Sequence, residues 1–222
     1  MKILILTDSL GAPRKELDFK NAWTYKFIEK YSLNNIIFTK LDKGLTSNNL
    51  DYEFVGSYSP DIVICQIGIV DATRRPIPWN ILRIVKNIPI FSSKIRTYLS
   101  KNHYKLTQKY SIHYANVKEF DDNLLKLENI VKKGGGKIIY VPIAPASSEM
   151  KRKVFNIEND IIEYNNVLKK HNRIVIDGYK INSDIDSIFL EDGHHLNEKG
   201  NELLFTEISS FFDEVIRGQD DE

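Results

Sequence analysis

Short apolar runs alternate along this chain with longer stretches of helical period. Ile3 to Leu6 form a continuous β-favouring run that stops at Thr7-Asp8-Ser9, which predicts a strand buried on both faces. Ile36 to Leu41, Asp61 to Ile67, Lys137 to Ile143 and Arg173 to Ile176 predict four more strands, the third announced by Ser59-Pro60. Between them the apolar positions fall three and four apart. Phe19, Trp23 and Phe27 predict a helix over roughly 18–31 with Asp18 near its start. Val117, Phe120, Leu124, Leu127 and Val131 follow the capping-box pair Asn116 and Glu119, and two lysines precede Gly134-Gly135-Gly136 at the other end. Ile157, Ile161, Tyr164 and Leu168 mark a further helix. Leu204, Ile208, Phe211, Phe212 and Val215 mark the last, capped by Asn197, with the tail Gln219 to Glu222 expected to fray. Strands alternating with helices predict an α/β fold with a parallel, right-handed sheet and the first strand central. The glycine run precedes a strand, whereas a phosphate loop precedes a helix, so it is not read as one.

At 222 residues and 42% apolar, the chain suits one α/β domain over 1–222. The formal net charge of +1 argues against a general nucleic-acid binder. The one cysteine, Cys65, excludes an intrachain disulfide and lies in an apolar run, so it is expected in the core. No leader pattern and no membrane-length apolar run appear, and the expectation is a soluble, cytoplasmic protein. Residues 72–114 stand apart, carrying nine cations and no acid, while the remainder holds 22 cations against 30 anions, a net of −8. Trp79, Phe91, Tyr98, Tyr104, Tyr110 and Tyr114 are interleaved, and Pro76, Pro78 and Pro89 break its first half. A crossover needs no such stretch. Residues 72–114 are therefore read as a partly helical insertion over the edge of a site, with a solvated basic face as the alternative.

The candidate chemistry sits at the two ends of the chain. Asp8 and Ser9 fall in a turn at the carboxyl end of the first strand, where open parallel sheets bind ligands. Asp192-Gly193-His194-His195 puts a carboxylate three residues before an imidazole in a glycine turn. A serine hydroxyl needs a base, and the base needs a partner that fixes its tautomer. Ser9, His195 and Asp192 supply those roles if the ends meet. The loop Pro142 to Ser148 also follows a strand, so Ser147 and Ser148 are expected to face the cleft. His103, His113 and His171 show no metal-ligand spacing with His194 and His195. Asp8 and Asp71 are read as structural supports of their turns.

The blocks Thr7-Asp8-Ser9-Leu10 and Asp192-Gly193-His194-His195, with Leu196-Asn197 and Gly200, resemble those of the SGNH, or GDSL-like, hydrolases. Gly44 stands at the family's second-block glycine and Gly68-Ile69-Val70-Asp71 at its third block. The resemblance implies a flavodoxin-like three-layer α/β/α sandwich with a five-stranded parallel sheet. It also implies a Ser9–His195–Asp192 arrangement acting on O-acyl esters, commonly on carbohydrates, without metal or cofactor. The oxyanion donors it implies are the Ser9 and Gly44 N–H groups. One departure stands out: Val70 replaces the family's oxyanion asparagine and has no side-chain donor. Another group substitutes, the substrate compensates, or activity is slow or absent.

Three functions follow as expectations. The first is a serine esterase on a carbohydrate or polysaccharide precursor. The second is an O-acyltransferase sharing its acyl-enzyme. The third is a catalytically degenerate carbohydrate-binding protein. Arg74 and Arg75, just beyond the third block, are expected to bind an anionic part of the substrate. No nucleic-acid partner is expected.

Overall fold

The computed structural model describes residues 1–78, 81, 84, 89–179 and 184–220. Its strands are β1 (Lys2–Thr7), β2 (Ile36–Leu41), β3 (Ile62–Gln66), β4 (Lys137–Tyr140) and β5 (Ile174–Val175). They form one parallel sheet in the order β2-β1-β3-β4-β5, with Leu4 opposite Phe38 and Val63. The helices are α1 (Trp23–Tyr31), α2 (Tyr52–Tyr58), α3 (Ile69–Ala72), α4 (Pro89–Lys101), α5 (His103–Lys109), α6 (Val117–Lys133), α7 (Ser148–Lys153), α8 (Ile157–Leu168) and α9 (Glu198–Asp220).

The strand runs explain the layers. Successive side chains point to opposite faces. Leu4, Leu6, Val63, Cys65 and Tyr140 therefore enter one core with Phe120, Leu124 and Leu127 of α6 and Ile161 and Tyr164 of α8. Ile3, Ile5, Ile62, Ile64 and Ile139 enter the other, against Trp23 and Phe27 of α1 and Leu204, Ile208 and Phe212 of α9. Each fully buried Leu, Ile or Phe contributes about 1.5–3 kcal/mol, so both faces demand helical cover.

Several expectations shift. The first helix begins at Trp23. Asp18 instead caps a 3-10 turn, Phe19–Asn21, through its acceptance from Lys20 N at 3.1 Å, and Phe19 is 51% exposed. β4 ends before Pro142, which has no N–H for the ladder, although Val141 N still donates to Cys65 O at 2.9 Å. β5 keeps two residues at the sheet edge. The short helices α2, α3 and α7 were not foreseen. α6 has the expected capping box, with Glu119 N donating to Asn116 Oδ1 and Asn116 N to Glu119 Oε2. The last helix continues through Gln219 and Asp220, and the remaining tail residues lie outside the described set.

Within the 72–114 stretch, α4 covers Pro89–Lys101 among the described residues. Trp79 lies outside the described residues, as do the side chains of Arg83, Lys86, Phe91 and Arg96. The described part docks on the end of α7 and the residues after it. Phe155 N donates to Thr107 Oγ1 at 3.1 Å, His103 Nδ1 meets Lys153 O at 3.0 Å, and Tyr104 packs edge-on against Phe155.

The two ends of the chain are tied together before any site residue is considered. Trp23 N, at the start of α1, donates to Asn201 Oδ1 of α9 at 3.0 Å. Tyr31 OH and Lys30 Nζ both reach Asp213, at 2.6 and 2.9 Å. The loops after β1 and before α9 therefore open on the same end of the sheet.

Candidate active site

β1 delivers Thr7 to its carboxyl end, and Asp8 turns the chain. The Asp8 carboxylate accepts from Leu10 N at 2.8 Å and caps the single 3-10 turn Ser9–Gly11. Ser9 thereby sits at the start of that turn, half-buried. Its Oγ lies 3.1 Å from His195 Nε2. On the far side of the ring, His195 Nδ1 lies 2.6 Å from Asp192 Oδ2. A carboxylate only accepts, so Asp192 fixes the Nδ1–H tautomer and leaves Nε2 free to accept from Ser9.

The turn that holds His195 is built from its own backbone. Asp192 Oδ1 accepts from His194 N at 2.8 Å and from His195 N at 2.9 Å. Leu190 N donates to His195 O at 2.7 Å and Gly193 N to Leu190 O at 2.8 Å. Gly193 takes φ +69°, and a Cβ there would sit 2.6 Å from Ser147 Oγ, so both conformation and space require glycine. At Gly200 a Cβ would meet Ile188 O at 2.4 Å. Asn197 locks the exit by donating to Ser187 O and Phe189 O while accepting from Gly200 N.

Ser147 completes this turn. It is 1% exposed, donates to Gly193 O at 2.5 Å and accepts from Met150 N at 3.0 Å as the cap of α7. It therefore braces the histidine loop and does not face the cleft as expected. Ser148 N is likewise engaged, donating to Asp186 Oδ1 at 2.7 Å. The β4 loop and the histidine loop are thus one unit, a link across 46 residues that a serine in a strand-end loop does not by itself reveal.

The electrostatics suit proton transfer. Burial lowers the His195 pKa below its ordinary value, against the opposing pull of Asp192, so the imidazole is neutral near pH 7. Burial pushes Asp192 up, but the amides of His195 and His194 and the imidazole outweigh it and hold the carboxyl at about 2. Burial and the neighbouring His195 bring His194 down to about 4. Burial raises the free thiol of Cys65, in the sheet core.

The loop after β2 contributes Gly44, with φ +87° and open space where a Cβ would stand. Among the described residues its amide makes no hydrogen bond. This loop is held by Asp71 of α3, which accepts from Ser47 N at 2.9 Å, while Asp71 O meets His113 Nδ1 at 3.0 Å. Asp71 thus ties the third block to the second. Val70, at the position of the family's asparagine, is buried and packs into the core on the α6 side.

The two arginines part company. Arg74, expected at the substrate, instead grips Asp160 with Nε at 2.6 Å and Nη2 at 2.9 Å, and the side chains are 13% and 4% exposed. A buried bidentate pair of this kind fastens the start of the 72–114 stretch to α8. Arg75 lies over the Tyr114 ring, 4.4 Å from its centroid, and donates to Val70 O at 2.8 Å. It also lines a cavity of about 410 Å³ with Asp192 and His194.

Among the described residues no group of three or more His, Cys, Asp or Glu is placed to hold a metal, and no helix is long and apolar enough to cross a membrane. His103 and His113 are used by the Lys153 and Asp71 carbonyls, and His171 lies 3.4 Å from Asp121.

No protein-family model and no curated protein matches the chain. Solved structures do. The psychrotrophic esterase EstA from Pseudoalteromonas sp., inhibited by monoethylphosphonate, superposes with a TM-score of 0.61 at 16% identity, covering 97% of this chain and 98% of that one. A member of the lipolytic G-D-S-L family from Veillonella parvula gives 0.60 at 13%, covering 96% and 98%. Axe2, an acetylxylan esterase from Geobacillus stearothermophilus, gives 0.57 at 17%, covering 93% and 91%. The fold over nearly the whole length is that of the SGNH, or G-D-S-L, hydrolases.

Proposed function

We propose that this chain is a serine esterase that cleaves O-acyl esters. The observation that carries the reading is the continuous line from Ser9 Oγ to His195 Nε2 to Asp192, at 3.1 and 2.6 Å. Ser9 attacks the ester carbonyl while His195 Nε2 takes its proton, and Asp192 stabilises the imidazolium. The N–H groups of Ser9 and Gly44 receive the developing oxyanion. As the tetrahedral intermediate collapses, the carbon–oxygen bond to the alcohol breaks and His195 returns the proton to that oxygen. Water, activated by the same imidazole, then releases the acid from Ser9. With an alcohol in place of water the same acyl-enzyme gives transfer.

The substrate class we propose is an acylated carbohydrate or polysaccharide precursor, handled in the cytoplasm. The aromatic residues interleaved with cations in 72–114 support it, because sugar faces stack on such rings. A fold neighbour described as an acetylxylan esterase adds to that support. Val70 favours the second reading, a binding protein that has lost turnover, because an oxyanion site short of one donor loses on the order of 10²–10³ in rate.

Mass spectrometry after treatment with a fluorophosphonate separates the two. The esterase adds one phosphonyl group, carried by the Ser9 peptide and missing from Ser9→Ala, and it releases acetate from acetylated sugars. An unlabelled Ser9 in folded protein removes the esterase reading.

A further inference from the structure

Among the described residues Arg75 carries a charge with no ion-pair partner. Its Nη2 donates to Val70 O, its plane is stacked on Tyr114, and its Nε is buried without a hydrogen-bond partner. Among the described residues no carboxylate forms an ion pair with it, in contrast to Arg74, which holds both oxygens of Asp160. The acid whose charge it feels is Asp71, and burial raises that carboxyl to about 7, so it supplies only part of a counter-charge. Proteins pair or hydrogen-bond buried charges because the lost hydration is otherwise uncompensated.

The guanidinium borders the 410 Å³ cavity whose other walls include His103, Met150, Lys153, Asp192 and His194. The remaining charges there are satisfied. Lys153 pairs with Glu149 at 2.9 Å and reaches Asp192 O at 3.3 Å, and Asp192 is spent on His195 and two amides. His194 contributes a ring packed edge-on to His195, with centroids 4.5 Å apart. The cavity therefore opens against the turn that carries His195. Gly44 lines a separate hollow with Thr46, Asn48, Asn49 and Tyr114.

We propose that this cavity binds an anionic group, carboxylate or phosphate, on the alcohol part of the substrate, and that Arg75 is the residue that selects for it. The inference rests on the esterase reading above for its assignment to the alcohol part. The departing alkoxide must lie at His195 to receive its proton, and the cavity adjoins the turn that carries His195. Among the described residues its Nη1 group makes no hydrogen bond and is not among the buried atoms, so the planar Arg75 guanidinium still offers donors to a carboxylate or phosphate. The Met150 and Val154 walls would cover the carbon frame that bears it.

The test compares phenyl acetate, para-acetoxybenzoate and para-acetoxyphenyl phosphate in wild type and Arg75→Gln. The ratio of kcat/KM for each charged ester to that for phenyl acetate falls about 10- to 100-fold in the variant, the worth of a charge-assisted hydrogen bond. The anion with the larger loss is the better match. Equal losses on all three esters would mean that Arg75 only supports the Val70 carbonyl, and the site is overturned. A monosuccinate phenyl ester, charged on its acyl side, that loses more than the other two overturns the assignment to the alcohol part. If Arg75→Gln melts early, Arg75→Lys, which keeps the charge and removes the fork, carries the same comparison. Calorimetric titration of Ser9→Ala with para-hydroxybenzoate and phenyl phosphate stands apart from turnover. Binding there that disappears in Ser9→Ala/Arg75→Gln upholds the anion site even if wild type cleaves nothing, a result that removes the esterase reading alone. No binding to Ser9→Ala, together with an unchanged ester ratio, overturns the site.

Discussion

The Asp8 carboxyl beside Ser9 should make the protein less stable as pH rises through neutrality. Asp8 is 0% exposed, one oxygen accepts from Leu10 N at 2.8 Å, and the other is buried without a partner. Burial, only partly offset by that amide, raises its pKa from 3.8 to about 7. Between those values the folded chain holds a proton that the unfolded chain has released, so stability falls as pH climbs, and the whole penalty is in place above about 7. At roughly 1.4 kcal/mol per unit, the two units crossed between pH 5 and pH 8 amount to about 2–3 kcal/mol. Asp8→Asn keeps an acceptor for Leu10 N and cannot ionise. Whatever packing cost the amide adds is the same at both pH values. Urea denaturation of the two proteins at pH 5 and pH 8 should therefore show the variant gaining about 2–3 kcal/mol on wild type over that interval. Asp71, also near 7 and raised in part by the Asp8 charge, moves in the same direction when that charge is removed. A stability difference that stays constant from pH 5 to pH 8 would refute the argument, because Asp8 would then be ionised throughout.

Four further outcomes follow from the site. With His195 held below its ordinary pKa and Asp192 at about 2, kcat/KM should rise with pH to a plateau, with its midpoint below 6.5. Asp192→Asn should lower that plateau by about 10²–10⁴, measured on an acetyl ester. Ser147→Ala leaves Gly193 O without its donor and α7 without its cap, and should lower stability by about 2–3 kcal/mol in denaturant titration. Ser147→Thr, which keeps the hydroxyl, should recover most of that loss. Val70→Asn should raise kcat if the oxyanion is short of a donor, and an unchanged or lower kcat in folded protein would mean another group already serves.

The strands and long helices were legible because burial on two faces writes continuous apolar runs into β1 and β3, and burial on one face writes a period of 3.6 into α6 and α8. The limits appeared where one residue served two periods or none. Phe19 sits at helical spacing from Trp23, yet a capped turn at Asp18 points it outward. The pieces of the candidate site could be named from the two ends of the chain, since turn chemistry at Asp8-Ser9 and the spacing of Asp192 and His195 are local. What could not be read were partnerships across the sheet. Arg74 and Arg75 look alike in the chain, and only the fold gives one of them Asp160 and leaves the other beside Tyr114 and Val70. Ser147 reads in the chain as a strand-end loop serine facing the cleft, until Gly193 arrives from 46 residues away.

The same long-range partnerships explain why the site tolerates costly residues beneath it. Asp8, Asp71 and Ser147 are each all but sealed from solvent, and each fixes a different loop at the carboxyl edge of the sheet. Asp8 fixes the turn that presents Ser9, Asp71 the loop that presents Gly44, and Ser147 the turn that presents His195. An apolar residue at Asp8 or Asp71 would add to the core and free the loop, and at Ser147 it would remove both the donor to Gly193 O and the cap of α7. Ser9, Gly44 and His195 come from three separate connections, so their mutual placement depends on polar groups that bind backbone atoms of these loops. Asp8 and Asp71 give up stability as their buried carboxyls ionise, whereas Ser147 adds it, and Ser9 and His195 meet at 3.1 Å although 186 residues separate them.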